Sequence, residues 1–445
     1  MSFTASIGLM AIFAVDFIDM IFIGMLGNDA LAAAVGYAGT LLFFTNAVNI
    51  GLSIAAGSLV AKAIGADDTE AAREHATSVV LFAIVSGLLV PVCVLWKLPW
   101  LLDFLGANAE VAQLASRYVW IIMPTMPVMA IGMTAMAVLR ANGDARRPML
   151  ATLYGGIANA MLDPILIFSL DFGLDGAAMA SVVARFTILG FALWPAIRLY
   201  DGFARPGIGL IKRDFSAVSA IAVPAVLTNI ATPFGSAIVV REMARFGTEA
   251  VAGMAVIGRL TPVAFAVIFA LSGAIGPIIG QNFGAGNFDR VRGAFFAGIR
   301  FIAIYVVVAA ALLFALRGPI AGLFDAQGLT LTLIYLFCGP LALASFFNGI
   351  IFVANASFNN LGHPVYSTWI NWGRHTLGTW PLALAGAALG GAPGVLIGQA
   401  LGGAVFAIVA WYLVERVMRD LESPLSHEPF AIHRRLHSLI CGLRW

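Results

Sequence analysis

Three acidic residues fall inside long apolar runs of the sequence, where a charged side chain is costly. Asp16 and Asp19 lie in the run 3–26, and Asp163 lies in the run 148–169. A charged side chain at the centre of a membrane helix costs about 2.5–3.5 kcal/mol on insertion scales. We therefore expect these carboxylates to face a bundle interior, where they bind a cation or take up a proton.

The spacing of the polar residues in these runs indicates one shared site. Asp16 and Asp19 have a helical i,i+3 spacing, and Asn159 and Asp163 have an i,i+4 spacing, so each pair shares one face of a helix. Pro164 removes a backbone donor beside Asp163 and permits a bend there. Carboxylate, amide and hydroxyl oxygens suit hard cations such as Na⁺.

Other interpretations of the ionisable residues stay open at this point. The aspartates could instead form a structural polar network with Arg185. In the second half, Arg374 and His375 lie in the run 365–387, and a histidine there is more often a satisfied bundle residue than a proton relay. Two like charges in one apolar site do not both ionise easily, so Asp16 and Asp19 need a proton or a cation to neutralise them. We therefore expect Na⁺ and H⁺ to compete for this aspartate site.

The composition decides the class of protein. Of 445 residues, 61% are hydrophobic and 11% are charged, whereas a soluble domain carries roughly 25% charged residues. This excludes a soluble enzyme, and the net charge of +2 gives no argument for a nucleic-acid partner. The sequence has neither a Gly-Lys-Ser/Thr P-loop nor a His-Glu-x-x-His motif, so we expect no ATP-driven step, no enzyme and no cofactor.

Continuous apolar runs predict twelve transmembrane helices, because only helices or closed barrels satisfy the backbone in lipid and barrel strands alternate. The runs are 3–26, 33–62, 76–97, 110–138, 148–169, 176–198, 217–243, 249–281, 288–316, 328–358, 365–387 and 391–417. Lys and Arg concentrate in the connections that follow even-numbered runs and in the tail. This bias predicts an inner-membrane protein with both termini in the cytoplasm.

The two halves of the sequence resemble each other at an offset near 219 residues. Residues 26–32 match 246–252, and residues 63–66 match 282–285. With six helices in each half, the repeat predicts two pseudo-symmetric six-helix bundles with a substrate path between them. The predicted division is an N-lobe (1–198), a cytoplasmic linker (199–216), a C-lobe (217–418) and a cytoplasmic tail (419–445).

Four segments, in this order, resemble the multidrug and toxic compound extrusion (MATE) family. They are residues 19–27, 139–144, 163–168 and 280–286, and the second half is most similar to the DinF-like branch. The resemblance covers essentially the whole chain. It implies an all-α membrane protein with a V-shaped pair of six-helix lobes. It also implies a secondary exporter that exchanges Na⁺ or H⁺ for organic cations.

The resemblance also implies which residues couple transport to the ion. The cation-coupling set carries over onto Asp19, Tyr118, Asn159, Asp163 and Ser181, with Asp16 as an addition that the family pattern does not place. Asp19, Asn159, Asp163 and Ser181 would be the ligands of a Na⁺ ion. The acids of the family's second lobe have no counterpart, since Thr232, Asn348 and Asn355 stand there instead.

These features predict a multidrug exporter that works as an antiporter of H⁺, Na⁺ or both. Its partners would be small organic cations or amphipathic drugs and the surrounding lipids, and we expect a monomer. The alternative within the same superfamily is a flippase for a lipid-linked precursor, which predicts a cationic central cavity. The arginines available to line such a cavity are Arg185, Arg259, Arg300 and Arg374. A channel or a membrane scaffold fits the polar constellation less well.

Overall fold

The computed structural model describes residues 29–421 and the isolated positions 8, 10, 15, 22, 25 and 26. Within these residues the secondary structure is helical, without a strand. The helices are α1 (Asp29–Gly65), α2 (Thr69–Trp96), α3 (Leu98–Phe104), α4 (Ala109–Ile122), α5 (Met126–Ala141), α6 (Arg146–Pro164), α7 (Gly173–Arg198), α8 (Ile208–Ala244), α9 (Thr248–Gly284), α10 (Phe288–Leu323), α11 (Gly328–Leu336), α12 (Ala342–Asn360), α13 (Pro364–Gly373) and α14 (Trp380–Leu421). Three π-helical segments continue these helices: Ile165–Ser169, Phe337–Leu341 and Arg374–Thr379.

Ten helices in the described part of the chain are long and apolar enough to cross a membrane. The last of them, Pro364–Leu421, has a non-helical break at Gly390 and Gly391. Gly391 has a φ of 62°, a conformation that glycine adopts without steric cost. The break lies at the predicted boundary between the last two runs, 365–387 and 391–417. The predicted first helix, 3–26, falls almost wholly outside the described residues, so the count of twelve stays a prediction.

The structure changes the boundary of the predicted linker. Helix α8 begins at Ile208 rather than at 217, so only residues 199–207 of the stretch 199–216 are non-helical. Asp214 explains the extra turns, because its carboxylate is buried against α2. Its Oδ2 accepts a hydrogen bond from Ser78 Oγ at 2.6 Å and lies 3.1 Å from His75 Nδ1. Helix α14 continues to Leu421, and the rest of the predicted tail, 422–445, lies outside the described residues.

The connections repeat the backbone geometry of one half in the other. Three pairs of residues, each separated by 219 positions, have a positive φ in both halves. The pairs are Asp67 and Gly286, Gly106 and Asp325, and Gly143 and Gly362. Few residues adopt this conformation, so its recurrence at one offset indicates that the same turns connect corresponding helices.

The two halves meet closely at the end where α1 and α9 finish. A Cβ atom on Gly65 would overlap the backbone carbonyl of Gln281, and one on Gly284 would overlap that of Lys62. Gln281 also donates a hydrogen bond from Nε2 to the carbonyl oxygen of Ala141 at 2.7 Å. The halves are therefore closed against each other at the end of the molecule that carries the basic connections.

The connection between α5 and α6 is held by Asp144, whose side chain is only 8% exposed. Its Oδ1 accepts the backbone N–H groups of Arg146 at 3.0 Å and Arg147 at 3.1 Å. Its Oδ2 accepts the guanidinium of Arg147 and the Tyr200 hydroxyl, the latter at 3.1 Å. Burial alone would raise the pKa of Asp144, but the hydrogen bonds from Arg147 and Tyr200 outweigh burial and hold its pKa below the usual 3.8.

Replacing Asp144 with asparagine should destabilise the fold by about 1.5–3 kcal/mol at neutral pH, the usual worth of hydrogen bonds to a charged group. A lowered carboxyl pKa contributes stability above about pH 4, and that contribution is lost as the pH falls through the folded-state pKa. Thermal unfolding of the purified protein should therefore show a gap between wild type and Asp144→Asn at pH 7 that narrows towards pH 3. The matched control is Asp103→Asn, which makes the same change at an exposed residue of α3. A difference in thermal stability between wild type and Asp144→Asn that is the same at pH 7 and pH 3 would contradict the stabilising role of the Asp144 carboxylate.

Candidate functional site

The first half contains a buried pair of polar side chains near the end of α6. Asp163 has no exposed surface and Asn159 is 6% exposed. Asn159 Nδ2 donates a hydrogen bond to Asp163 Oδ2 at 2.7 Å. The i,i+4 spacing places both side chains on one face of α6, as the sequence predicts. A carboxylate and an amide are thus joined in the interior of the bundle.

The helix is irregular directly after Asp163. Pro164 ends α6, and residues Ile165–Ser169 form a π-helical turn in which Leu170 N–H donates to the Ile165 carbonyl oxygen at 2.9 Å. Proline removes the local donor, and single π turns occur preferentially at functional sites. Helix α7 approaches this segment closely, because a Cβ on Gly176 would overlap the backbone of Leu166. The predicted bend beside the carboxylate is therefore present as a widened turn.

Tyr118 and Ser181 come from the two helices that flank this turn. The half-buried Tyr118 on α4 packs against a small cluster of Ile167 and Ala177, and Phe22 packs there too. Ile167 lies one turn beyond Asp163, and Ala177 lies one turn before the half-buried Ser181 on α7. The structure thus brings the elements that carry these predicted residues together, and it shows a hydrogen bond for the Asn159–Asp163 pair.

The remaining two predicted site residues, Asp16 and Asp19, lie outside the described residues. The nearest described position along the chain beyond them is Phe22. Its ring is 5.9 Å from that of Phe168 in an edge-to-face arrangement, at an interplanar angle of 84°. Phe22 therefore contacts the π-helical turn that follows Asp163.

Arg185, one turn beyond Ser181 on α7, does not serve as the partner of Asp163. Its Nη1 donates to the Ile122 carbonyl oxygen at 3.2 Å and to Thr125 Oγ1 at 2.9 Å. The guanidinium therefore stabilises the junction between α4 and α5. The structural network in which Arg185 neutralises this aspartate is not the arrangement found.

The second half encloses a cavity of about 410 Å³ between α8, α9, α12, α13, α14 and the π-helical segments Phe337–Leu341 and Arg374–Thr379. This is within the size range of sites for drug-sized ligands, roughly 300–1,000 Å³. The aromatic part of its lining is Phe265, Phe269, Phe337 and Phe352, and the polar part includes Asn348, Gln399, Arg374 and His375. No aspartate or glutamate is among its lining residues, all of which belong to the described part of the chain.

His375 is only 4% exposed, yet neither of its ring nitrogens has a hydrogen-bond partner in the described structure. Its ring lies against Gly235 of α8, where a Cβ would overlap it. Arg374 precedes it at the start of the third π-helical segment and forms no ion pair within residues 29–421. Arg374 and His375 are thus two adjacent N–H donor side chains that line one cavity and have no acidic partner among the described residues.

Comparison with known proteins decides the family. The family model described as MatE matches residues 5–165 and 224–382, more than half of the chain. The chain belongs to the MatE family. The match extends across both halves, and the unmatched stretch between its two parts, 166–223, contains α7 and the start of α8.

Individual relatives agree with the MatE assignment. An FAD transporter of Shewanella oneidensis is 27% identical over 433 residues, which are 95% of each chain. The multidrug export protein MepA of Staphylococcus aureus is 25% identical over 315 residues, which are 69% of this chain and 68% of MepA. A crystal structure of a mutant Vibrio cholerae MATE transporter, VcmN, has a TM-score of 0.89 at 24% identity, covering 94% of this chain and 95% of that one.

Membership of the MatE family confirms three predictions. The resemblance to the MATE family is correct, the chain is a transporter rather than an enzyme, and it is a multi-pass helical membrane protein. The likeness to VcmN shows the shared fold. The DinF-like branch stays a prediction.

Sequence reasoning missed the character of the second-half cavity in this MatE protein. The expectation that His375 is a satisfied bundle residue is wrong, since both of its ring nitrogens lack a partner in the described structure. The adjacent pair of Arg374 and His375 inside an apolar run is the signal that points to it. The absence of an acid beside these two residues, however, depends on how several helices pack together, and the spacing along one helix does not reveal it.

Proposed function

We propose that this MatE protein exports small amphipathic organic molecules in exchange for H⁺ or Na⁺. The observation that carries the proposal is the buried Asn159–Asp163 pair beside a π-helical turn. A carboxyl group at this depth must be neutralised by a proton or a cation, so binding of that ion is linked to the structure around Asp163. The full coupling set would be Asp163, Asn159, Tyr118, Ser181, Asp19 and Asp16.

The π-helical turn supplies a means of coupling ion binding to movement. An ion at Asp163 changes the charge at the point where α6 gives way to Ile165–Ser169. Because α7 and Tyr118 of α4 pack directly on this turn, a change in its winding repositions both helices. A small local change can thereby alter the shape of the whole first-half bundle.

Alternating access would use the contact between the halves. In the present conformation α1 and α9 close one end through Gly65 and Gly284. If the basic connections face the cytoplasm, as their Lys and Arg content indicates, this is an outward-facing state. Both chain termini would then be cytoplasmic and the protein would lie in the inner membrane. We propose that it acts as a monomer whose two lobes rock about this contact.

The flippase alternative is not favoured. It predicts a cavity lined by several arginines, but Arg259 and Arg300 are exposed and Arg185 is bonded to the α4–α5 junction. Only Arg374 of the four lines the second-half cavity. The relatives named above are transporters of FAD or of multiple drugs.

The proposal is tested with purified protein in proteoliposomes, with a proton gradient and a Na⁺ gradient imposed separately. Ethidium and flavin mononucleotide serve as fluorescent probes, since one relative is a multidrug exporter and another is an FAD transporter. We expect at least one gradient to drive export of a probe, and collapse of that gradient to stop it. Export that is the same with and without both gradients would contradict ion coupling.

A further inference from the structure

The second-half cavity has the charge of an anion site rather than a cation site. Arg374 and His375 line it, and no acid does. Arg374 is half-buried and has no ion-pair partner among the described residues, so an anion bound beside it would form a charge-assisted hydrogen bond without displacing another acid. Arginine presents a planar fork of N–H donors that matches phosphate and carboxylate oxygens.

His375 provides a second, independent observation. It is 4% exposed, faces the same cavity, and both its ring nitrogens lack partners in the described structure. Buried polar groups are nearly always hydrogen-bonded, and an imidazole carries at least one N–H donor, so this donor calls for an acceptor from outside the described side chains. Asn348 and Gln399 add amide groups to the same lining.

The rest of the lining fits a ring system. Phe265 and Phe337 meet edge to face at 6.5 Å between ring centroids, and Phe269 and Phe352 do so at 5.0 Å. Such aromatic side chains favour a planar ligand that stacks or meets them edge-on. The cavity volume of about 410 Å³ accommodates a molecule larger than an inorganic ion.

We propose that this cavity binds an aromatic organic anion, whose phosphate or carboxylate group is held by Arg374 and His375 and whose ring lies against the phenylalanines. This deepens the proposed function by naming the substrate class of the second half. The organic cations implied by the MATE resemblance would find aromatic faces here but no carboxylate. The first half then carries the carboxylate that binds the coupling ion, and the second half carries the cationic side chain that binds the anionic group of the substrate.

The test compares two probes that differ only in a phosphate group, flavin mononucleotide and riboflavin. Their affinities are measured by flavin fluorescence with the purified full-length protein in phosphatidylcholine nanodiscs. We expect wild type to bind the mononucleotide at least about tenfold more tightly, since a hydrogen-bonded charge contributes that much or more. Equal affinity for the two probes, or no binding of either, would overturn the proposal without need of any variant.

Variants locate the effect at the cavity. Arg374→Gln should abolish the preference for the phosphate, so that flavin mononucleotide and riboflavin bind with equal affinity, and Arg374→Lys should retain part of the preference. The matched control is Arg300→Gln, which removes an exposed arginine of α10. A preference that survives in Arg374→Gln, or that is lost equally in Arg300→Gln, would contradict the role of Arg374.

A second series separates a soluble anion from a lipid headgroup. Phosphatidylglycerol is added to the nanodiscs in increasing amounts. We expect the affinity for flavin mononucleotide to stay the same, and competition by the lipid would overturn the soluble substrate. Because binding is measured without any ion gradient, its failure is distinguishable from a failure of ion-coupled export.

Discussion

Export driven by an ion gradient should fall to the level of protein-free liposomes when Asp163 is replaced with asparagine. Asn keeps the shape of the side chain and a hydrogen-bonding oxygen, but it cannot change charge. Since Asp163 has no exposed surface and is bonded to Asn159, the substitution removes the ionisable group from the middle of the proposed site. The rate is measured with the probe and gradient that drive wild-type export.

Two controls accompany the Asp163 variant. Asp171→Asn makes the same chemical change at an exposed turn residue just beyond the π-helical turn, and it should leave export intact. Size-exclusion chromatography and thermal unfolding establish that the Asp163→Asn protein is folded. Full export by a folded Asp163→Asn protein would remove this residue from the mechanism.

Export should also be lost in Gly65→Val, for a different reason. A side chain at Gly65 would overlap the carbonyl of Gln281 in α9, which belongs to the other half. Overpacking of this kind costs typically 1–3 kcal/mol, which shifts the equilibrium about 5–150-fold away from the closed contact. A transporter that cannot close one end cannot complete the cycle, so we expect probe binding to persist while transport stops.

Helix α1 offers a matched control for this substitution. Gly39 lies on the same helix and has no neighbouring atom within 4 Å of the position a Cβ would occupy. Gly39→Val should therefore transport normally. Equal loss in both variants would indicate a general effect of valine on α1, and normal transport by Gly65→Val would show that the contact with Gln281 is not needed.

Local spacing predicted the parts of the site that depend on one helix. The sequence predicted both the i,i+4 pair of Asn159 and Asp163 and the helix irregularity at Pro164, because each follows from geometry within about one turn. The break at Gly390 and Gly391 was readable from the length of the apolar runs. These features need no knowledge of what lies across the bundle.

Features that depend on contacts between distant segments were not readable. The start of α8 at Ile208 was missed because the charged residues Lys212, Arg213 and Asp214 separate its first turn from the apolar run. The burial of Asp214 against α2 is a tertiary contact that the sequence does not show. Arg185 could have paired with an aspartate, and its actual acceptors lie on the α4–α5 junction. The isolation of His375 from any partner likewise required all the helices that surround it.

The central claim is that an ion held at Asp163 is exchanged for the exported molecule. It is tested most directly by adding substrate to the purified protein in lightly buffered solution and recording release of H⁺ with a pH-sensitive dye and of Na⁺ with radioactive tracer. The account predicts that wild type releases one of these ions in proportion to the substrate bound, and that Asp163→Asn releases none. Unchanged ion release from a folded Asp163→Asn protein, or no release of either ion from wild type, would contradict it.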